Sequence, residues 1–201
     1  MLGQSRPAIT SLSLLSGALL AGVSTQANAI EGSLGLGYAD YDEFGSGFNL
    51  EAELTPVFGL GEMDLPIRAH GSFSSVDELD ILAGRLGYLI KTDAATFELG
   101  GGYQFWDYEQ ITMAPSSGLP VSNDDVWTVH GRVEWPVTDA FVLGGGLEYL
   151  IFDNFNEETP MIGLSAEYRT PADFSIGLDV EIYTDEPVDQ TFFRLGARWY
   201  W

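Results

Sequence analysis

His70 and Ser72 lie two residues apart in the run Arg68-Ala69-His70-Gly71-Ser72. Residues i and i+2 of an extended strand share a face, so an imidazole and a hydroxyl stand together there as a candidate base and nucleophile. Arg68 falls on the same face, and the trio reads as a polar pair beside a cation. The acids offer a second chemistry. Asp40, Asp42 and Glu43 cluster, as do Asp77, Glu78 and Asp80; hard cations such as Ca²⁺ or Mg²⁺ prefer carboxylate oxygens. None of these clusters has the fixed spacing of a dedicated cation loop, so a solvated like-charge surface is expected and no metal is assigned. His70 and His130 sit near mid-strand, away from these acids, which breaks the hydrogen-bond reach that a base and its orienting acid need. No catalytic residue is assigned.

A larger constellation emerges once the elements that must carry these groups are laid out. From Ile30 onward ten segments alternate apolar and polar residues, at about 30–41, 46–56, 64–75, 80–91, 95–108, 125–136, 140–152, 160–170, 173–184 and 190–201. Their apolar sides read, for example, Leu34-Leu36-Tyr38, Trp127-Val129-Val133-Trp135 and Phe174-Ile176-Leu178-Val180-Ile182. The polar sides hold Arg68, Arg85, Arg132, Arg169, Arg194 and Arg198 with His70 and His130. They also hold Glu51, Glu53, Glu98, Glu134, Glu148, Glu167, Asp179 and Glu181. Strands that are apolar outside and charged inside fit a transmembrane barrel. Leaving one buried charge unpaired costs roughly 3–5 kcal/mol, so these sixteen side chains are expected to form an internal ion-pair network.

Composition narrows the alternatives. The chain has 201 residues, no cysteine and a formal net charge of -22, which suits one domain and repels nucleic-acid phosphates. Thiol-based metal and redox chemistry is excluded. Residues 1–29 begin with Arg6, run through an apolar stretch and end on Ala27-Asn28-Ala29, a secretory signal peptide with cleavage expected after Ala29. Residues 30–201 contain no other run approaching a spanning helix, and a membrane chain without such helices must close its strands into a barrel. The fold class expected is therefore all-β, a transmembrane antiparallel up-and-down barrel of ten strands. Eight is the alternative count, should 46–56 and 64–75 belong to folded loops. With both termini periplasmic, the connections after odd strands face outward, and every one of them is acidic and free of Lys and Arg. LIKTDAATFELGGGYQF, WPVTDAFVLGGGLEYL and YRTPADFSIGLDVEIY repeat one design of strand, Thr-initiated turn and glycine-containing strand.

The last strand, QTFFRLGARWYW, resembles the C-terminal assembly signal of bacterial outer-membrane barrels at Arg194, Gly196, Trp199 and Trp201. Across the mature chain, the signal, strand pattern and loop asymmetry resemble the small single-chain outer-membrane barrels of Gram-negative bacteria, OmpA- or OmpX-like or their ten-stranded relatives. That resemblance implies an integral outer-membrane protein, monomeric, in contact with membrane lipid and lipopolysaccharide and handled by the barrel-assembly machinery. It implies no cofactor. Outer-membrane lipid A deacylases use a His-x-Ser arrangement similar to His70-Gly71-Ser72, but here alternation turns the pair inward, away from lipid substrates. Ten-stranded outer-membrane proteases place acids and a histidine at the outer rim, and this chain does not. The function expected is a structural or surface-interaction barrel with an ion-paired bore; the alternative is a narrow channel for small ions or solutes, favouring cations at its acidic mouth.

Overall fold

The computed structural model describes residues 30–60, 63–113, 120–185 and 190–201, and in it ten antiparallel strands close into one barrel. They are β1 (Ile30–Tyr41), β2 (Ser46–Leu60), β3 (Met63–Val76), β4 (Leu79–Lys91), β5 (Thr96–Met113), β6 (Pro120–Thr138), β7 (Phe141–Phe152), β8 (Glu157–Thr170), β9 (Phe174–Tyr183) and β10 (Thr191–Tyr200). Each pairs with its sequence neighbours. β1 closes on β10 from Ser33 opposite Tyr200 to Tyr41 opposite Phe192, and Gly32 and Trp201 exchange backbone hydrogen bonds of 3.2 and 3.1 Å at the seam. Closure leaves no edge for another chain to pair with. The signal segment 1–29 lies outside the described residues.

The eight-strand alternative falls. β2 and β3 are paired on both sides along the barrel wall; their apolar signal is weak because Ala52, Ala69 and Gly71 occupy outward positions, while ladder hydrogen bonds come from the backbone and do not depend on side-chain size. Two hairpins also run further than expected. Beyond the last pairing of β1 with β2, the β2–β3 hairpin continues at the end carrying both termini, with Val57 opposite Pro66 and Leu60 opposite Met63. The stretch after Tyr108, expected as a loop, continues the β5–β6 ladder to Met113 opposite Pro120, with a register irregularity between Asp107 and Thr112. β-branched Val121 favours this extension.

The short turns at the terminal end share one device. Thr92, Thr138 and Thr170 each accept on Oγ1 a hydrogen bond from the backbone N–H two residues on, at 3.4, 3.3 and 3.4 Å. The repeat in the sequence is thus a repeated Ser/Thr turn.

Candidate functional site

The register divides every strand into an outer and an inner row. Outward residues form an exposed apolar belt, with Leu36, Leu86, Leu99, Val129, Leu147, Leu164 and Leu195 at mid-height. Aromatics edge it at both ends: Tyr88, Trp135, Tyr168 and Trp199 toward the termini, Tyr38, Trp127, Tyr149 and Phe193 toward the loops. The loop-end tyrosines hydrogen-bond acids just above the belt, Tyr38 to Asp40 at 3.3 Å, Tyr103 to Asp125 and Tyr149 to Glu158. A closed sheet this apolar outside and charged inside has hydrocarbon as its natural surroundings. This is a closed ten-stranded antiparallel β-barrel of the membrane-spanning kind.

All sixteen residues of the expected network face its bore, and most meet there. Arg68 contacts Glu53 at 3.3 Å, Glu98 at 3.0 Å and Glu134, and Glu98 also meets His130 Nε2 at 2.9 Å. Arg85 pairs with Glu148 at 3.1 Å, while Arg132 approaches the other oxygen of Glu148 only to 3.9 Å. Arg194 pairs with Glu181. Arg198 bridges Glu51 at 2.6 Å and Glu167 at 3.1 Å, and Arg169 pairs with Glu167 beneath a cation–π contact with the Tyr200 ring at 5.5 Å. Asp179 faces Arg194 across the ladder. His70 lies between Glu53 and Arg85 in register; among the described contacts neither Asp179 nor His70 joins an ion pair, and no hydrogen bond links His70 to Ser72. Of the terminal motif, Arg194 and Gly196 face the bore, and Trp199 and Trp201 are exposed on the outside. The acid clusters at 40–43 and 77–80 form no group able to hold a metal ion among the described residues.

Glycines let these long side chains lie flat against the wall. A β-carbon at Gly87 would collide with Cγ and Oε1 of Glu98, and one at Gly146 would stand 2.9 Å from Arg132 Cγ. Gly87→Ala is therefore expected to push Glu98 off both Arg68 and His130. The cost is about 1–2 kcal/mol, the scale of overpacking plus a weakened charged hydrogen bond, read as a lowered urea midpoint for vesicle-embedded protein; an unchanged midpoint would show that Glu98 has room to move.

The glycines also leave space. A cavity of about 160 Å³ is lined by Gly144, Gly146, Gly163, Gly177, Gly196 and Gly35 together with Glu51, Arg68 and Arg85. That is smaller than the roughly 300–1,000 Å³ that encloses a drug-sized ligand. Among the ion-paired groups, the side chains of Arg169, Arg132 and Arg198 near the termini are 45%, 35% and 28% exposed, while Arg85, Glu181 and Glu148 deeper in are 7%, 5% and 1%. The arginines nearest the termini are thus the ones open to solvent.

The loop end is filled by a layer that the alternating pattern does not announce. The buried hydrophobic cluster lies inside the barrel, at the loop end: Tyr41, Leu79, Trp106, Leu150, Phe152 and Phe192, with Tyr108, Phe155, Met161 and Tyr183. Trp106 is its hub, 5.3 Å from Phe152, 6.0 Å from Phe192 and 6.1 Å from Tyr183 between ring centroids, and Tyr41 stacks on Phe192 at 4.0 Å. Phe155 comes from the β7–β8 connection, held there because the Asp124 carboxylate accepts the backbone N–H groups of Asn154 at 2.8 Å and Phe155 at 3.0 Å. Asp124→Ala leaves both donors without that acceptor and is expected to cost about 2–3 kcal/mol, with faster hydrogen exchange confined to residues 153–156. Unchanged exchange there would remove Asp124 as the anchor.

No family model and no curated protein matches the chain. Among solved structures it is similar to the NanC porin, at 13% identity over 85% of this chain and 99% of that one with a TM-score of 0.46. It is also similar to the KdgM porin solved in complex with disordered oligogalacturonate, at 13% identity over 83% and 98% with a TM-score of 0.45. An outer membrane channel from Pseudomonas putida F1 is 11% identical over 88% and 96%, with a TM-score of 0.46.

Proposed function

We propose that the chain is a narrow channel for small ions or solutes whose gate, shut in this conformation, is the aromatic layer around Trp106. The observation that carries the reading is the contrast along the bore: ion-paired arginines open to solvent near the termini, and an apolar layer buried at the loop end. A hydrophobic constriction of this kind blocks ions by dewetting. The terminal mouth faces the periplasm and the acidic connections face outward, where they meet lipopolysaccharide; Arg194, Gly196, Trp199 and Trp201 serve as the assembly signal, and the barrel works as a monomer without catalysing a reaction. The second reading, a permanently sealed barrel with a structural or surface-interaction role, is favoured by the complete burial of Trp106, Tyr41 and Leu79. Planar-bilayer recording separates the two. Intermittent openings of the unmodified protein, carried more by cations than anions given the acidic mouth, support the channel; silence at every voltage leaves the sealed barrel.

A further inference from the structure

The aromatic layer has two unlike sides. Phe44 and Phe155, both from connections, cover it toward the loops, whereas three of its polar-tipped rings hydrogen-bond down into the bore. Trp106 Nε1 donates to Gln104 Oε1 at 3.0 Å, and Gln104 Nε2 donates to Glu148 Oε1 at 3.2 Å, the oxygen that also pairs with Arg85. Tyr183 donates to Glu181 at 3.3 Å, and Glu181 pairs with Arg194. Tyr41 donates to Ser74 at 2.6 Å, Ser74 to Asn49 at 2.7 Å, and Asn49 to Glu51 at 2.7 Å, whose other oxygen takes Arg198.

Three chains from three strands thus end on three different ion pairs. Packing alone does not ask for them, since phenylalanine at 41 and 183 and leucine at 104 would fill the same space. Hydrogen bonds ending on ionised carboxylates are among the stronger ones a side chain makes, and linked bonds strengthen one another in a low-dielectric interior. Resting on the reading of this layer as a gate, we propose that it is latched: the three chains hold the rings across the bore, and the arrangement of the ion pairs below decides whether the layer stays shut.

The absence of cysteine from the chain makes the test direct. Val126 belongs to the layer and is 0% exposed, so Val126→Cys reports opening by its rate of labelling with a water-soluble maleimide in vesicle-embedded protein. Adding Tyr41→Phe, Tyr183→Phe and Gln104→Leu keeps the layer's bulk and removes all three chains. Labelling is expected to rise about tenfold or more, as the loss of several hydrogen bonds worth a fraction of a decade to a decade each implies. Glu134→Gln, which loosens the Arg68 cluster without touching a chain, is expected to leave the rate unchanged. An unchanged rate in the triple variant overturns the latch, and an equal rise with Glu134→Gln overturns it too by showing general loosening. Retained heat-modifiable migration on gels verifies that each variant is folded. The labelling readout needs no current, so a barrel that never conducts fails the channel reading while leaving the latch standing.

Discussion

Replacing Trp106 and Phe192 together by alanine is expected to turn a barrel of rare or absent openings into one with sustained conductance. Both side chains are essentially unexposed and in ring contact with each other, and removing them takes out the centre of the only apolar layer found across the bore among the described residues. Beneath it lie the cavity of about 160 Å³ and, toward the terminal mouth, arginines open to solvent. The same change should cost stability, about 3–5 kcal/mol for each large aromatic truncated in a packed site, seen as a lower urea midpoint. A variant that folds and still carries no current would place the block lower, among the ion pairs, and the gate would have to be sought around Arg85 and Glu148.

The second large effect is expected at Arg68. Its guanidinium is the common partner of Glu53, Glu98 and Glu134, so Arg68→Met leaves three carboxylates gathered without their cation. Removing one member of a buried pair costs about 3–5 kcal/mol; Glu134 and Glu53 are 35% and 25% exposed, which places the loss toward the lower end. Neutralising the acids in turn should repair it, with Glu98→Gln, nearly buried and also bonded to His130, recovering more than Glu134→Gln. Double-mutant cycles on unfolding midpoints measure this. If Arg68→Met is as stable as the parent, water in the cavity is screening these acids well enough that the pairs set geometry and not stability.

The division between what could be read in advance and what could not follows from parity. Wherever one row is apolar and the other charged, as around Arg194 and Arg198 between Phe193, Leu195 and Trp199, the two-residue period tells inside from outside. It is blind where both rows are apolar. Ile81 beside Leu82, Trp106 beside Phe105, Phe152 beside Ile151 and Phe192 beside Phe193 each hide an inward ring or branch behind an outward one. These doublets all lie at the loop ends of their strands, and that common location was the available signal for an internal layer. The eight-strand alternative arose from the opposite blindness: small outward residues on β2 and β3 muted a pattern that backbone pairing did not require. Asp124 was legible only as one of many acids, because its partners are backbone N–H groups of a distant connection.

The overhang of β2 and β3 past their neighbours gives the terminal mouth a lopsided lip. Residues 57–60 and 63–66 run past the last pairings of β2 with β1 and of β3 with β4, on the flank that carries Glu51, Glu53 and Arg68, while the glycine recess belongs largely to the flank of β7 to β10. A solute arriving from that side meets a taller rim over β2 and β3 than over their neighbours, so its approach has a preferred azimuth even though the wall itself is a ring.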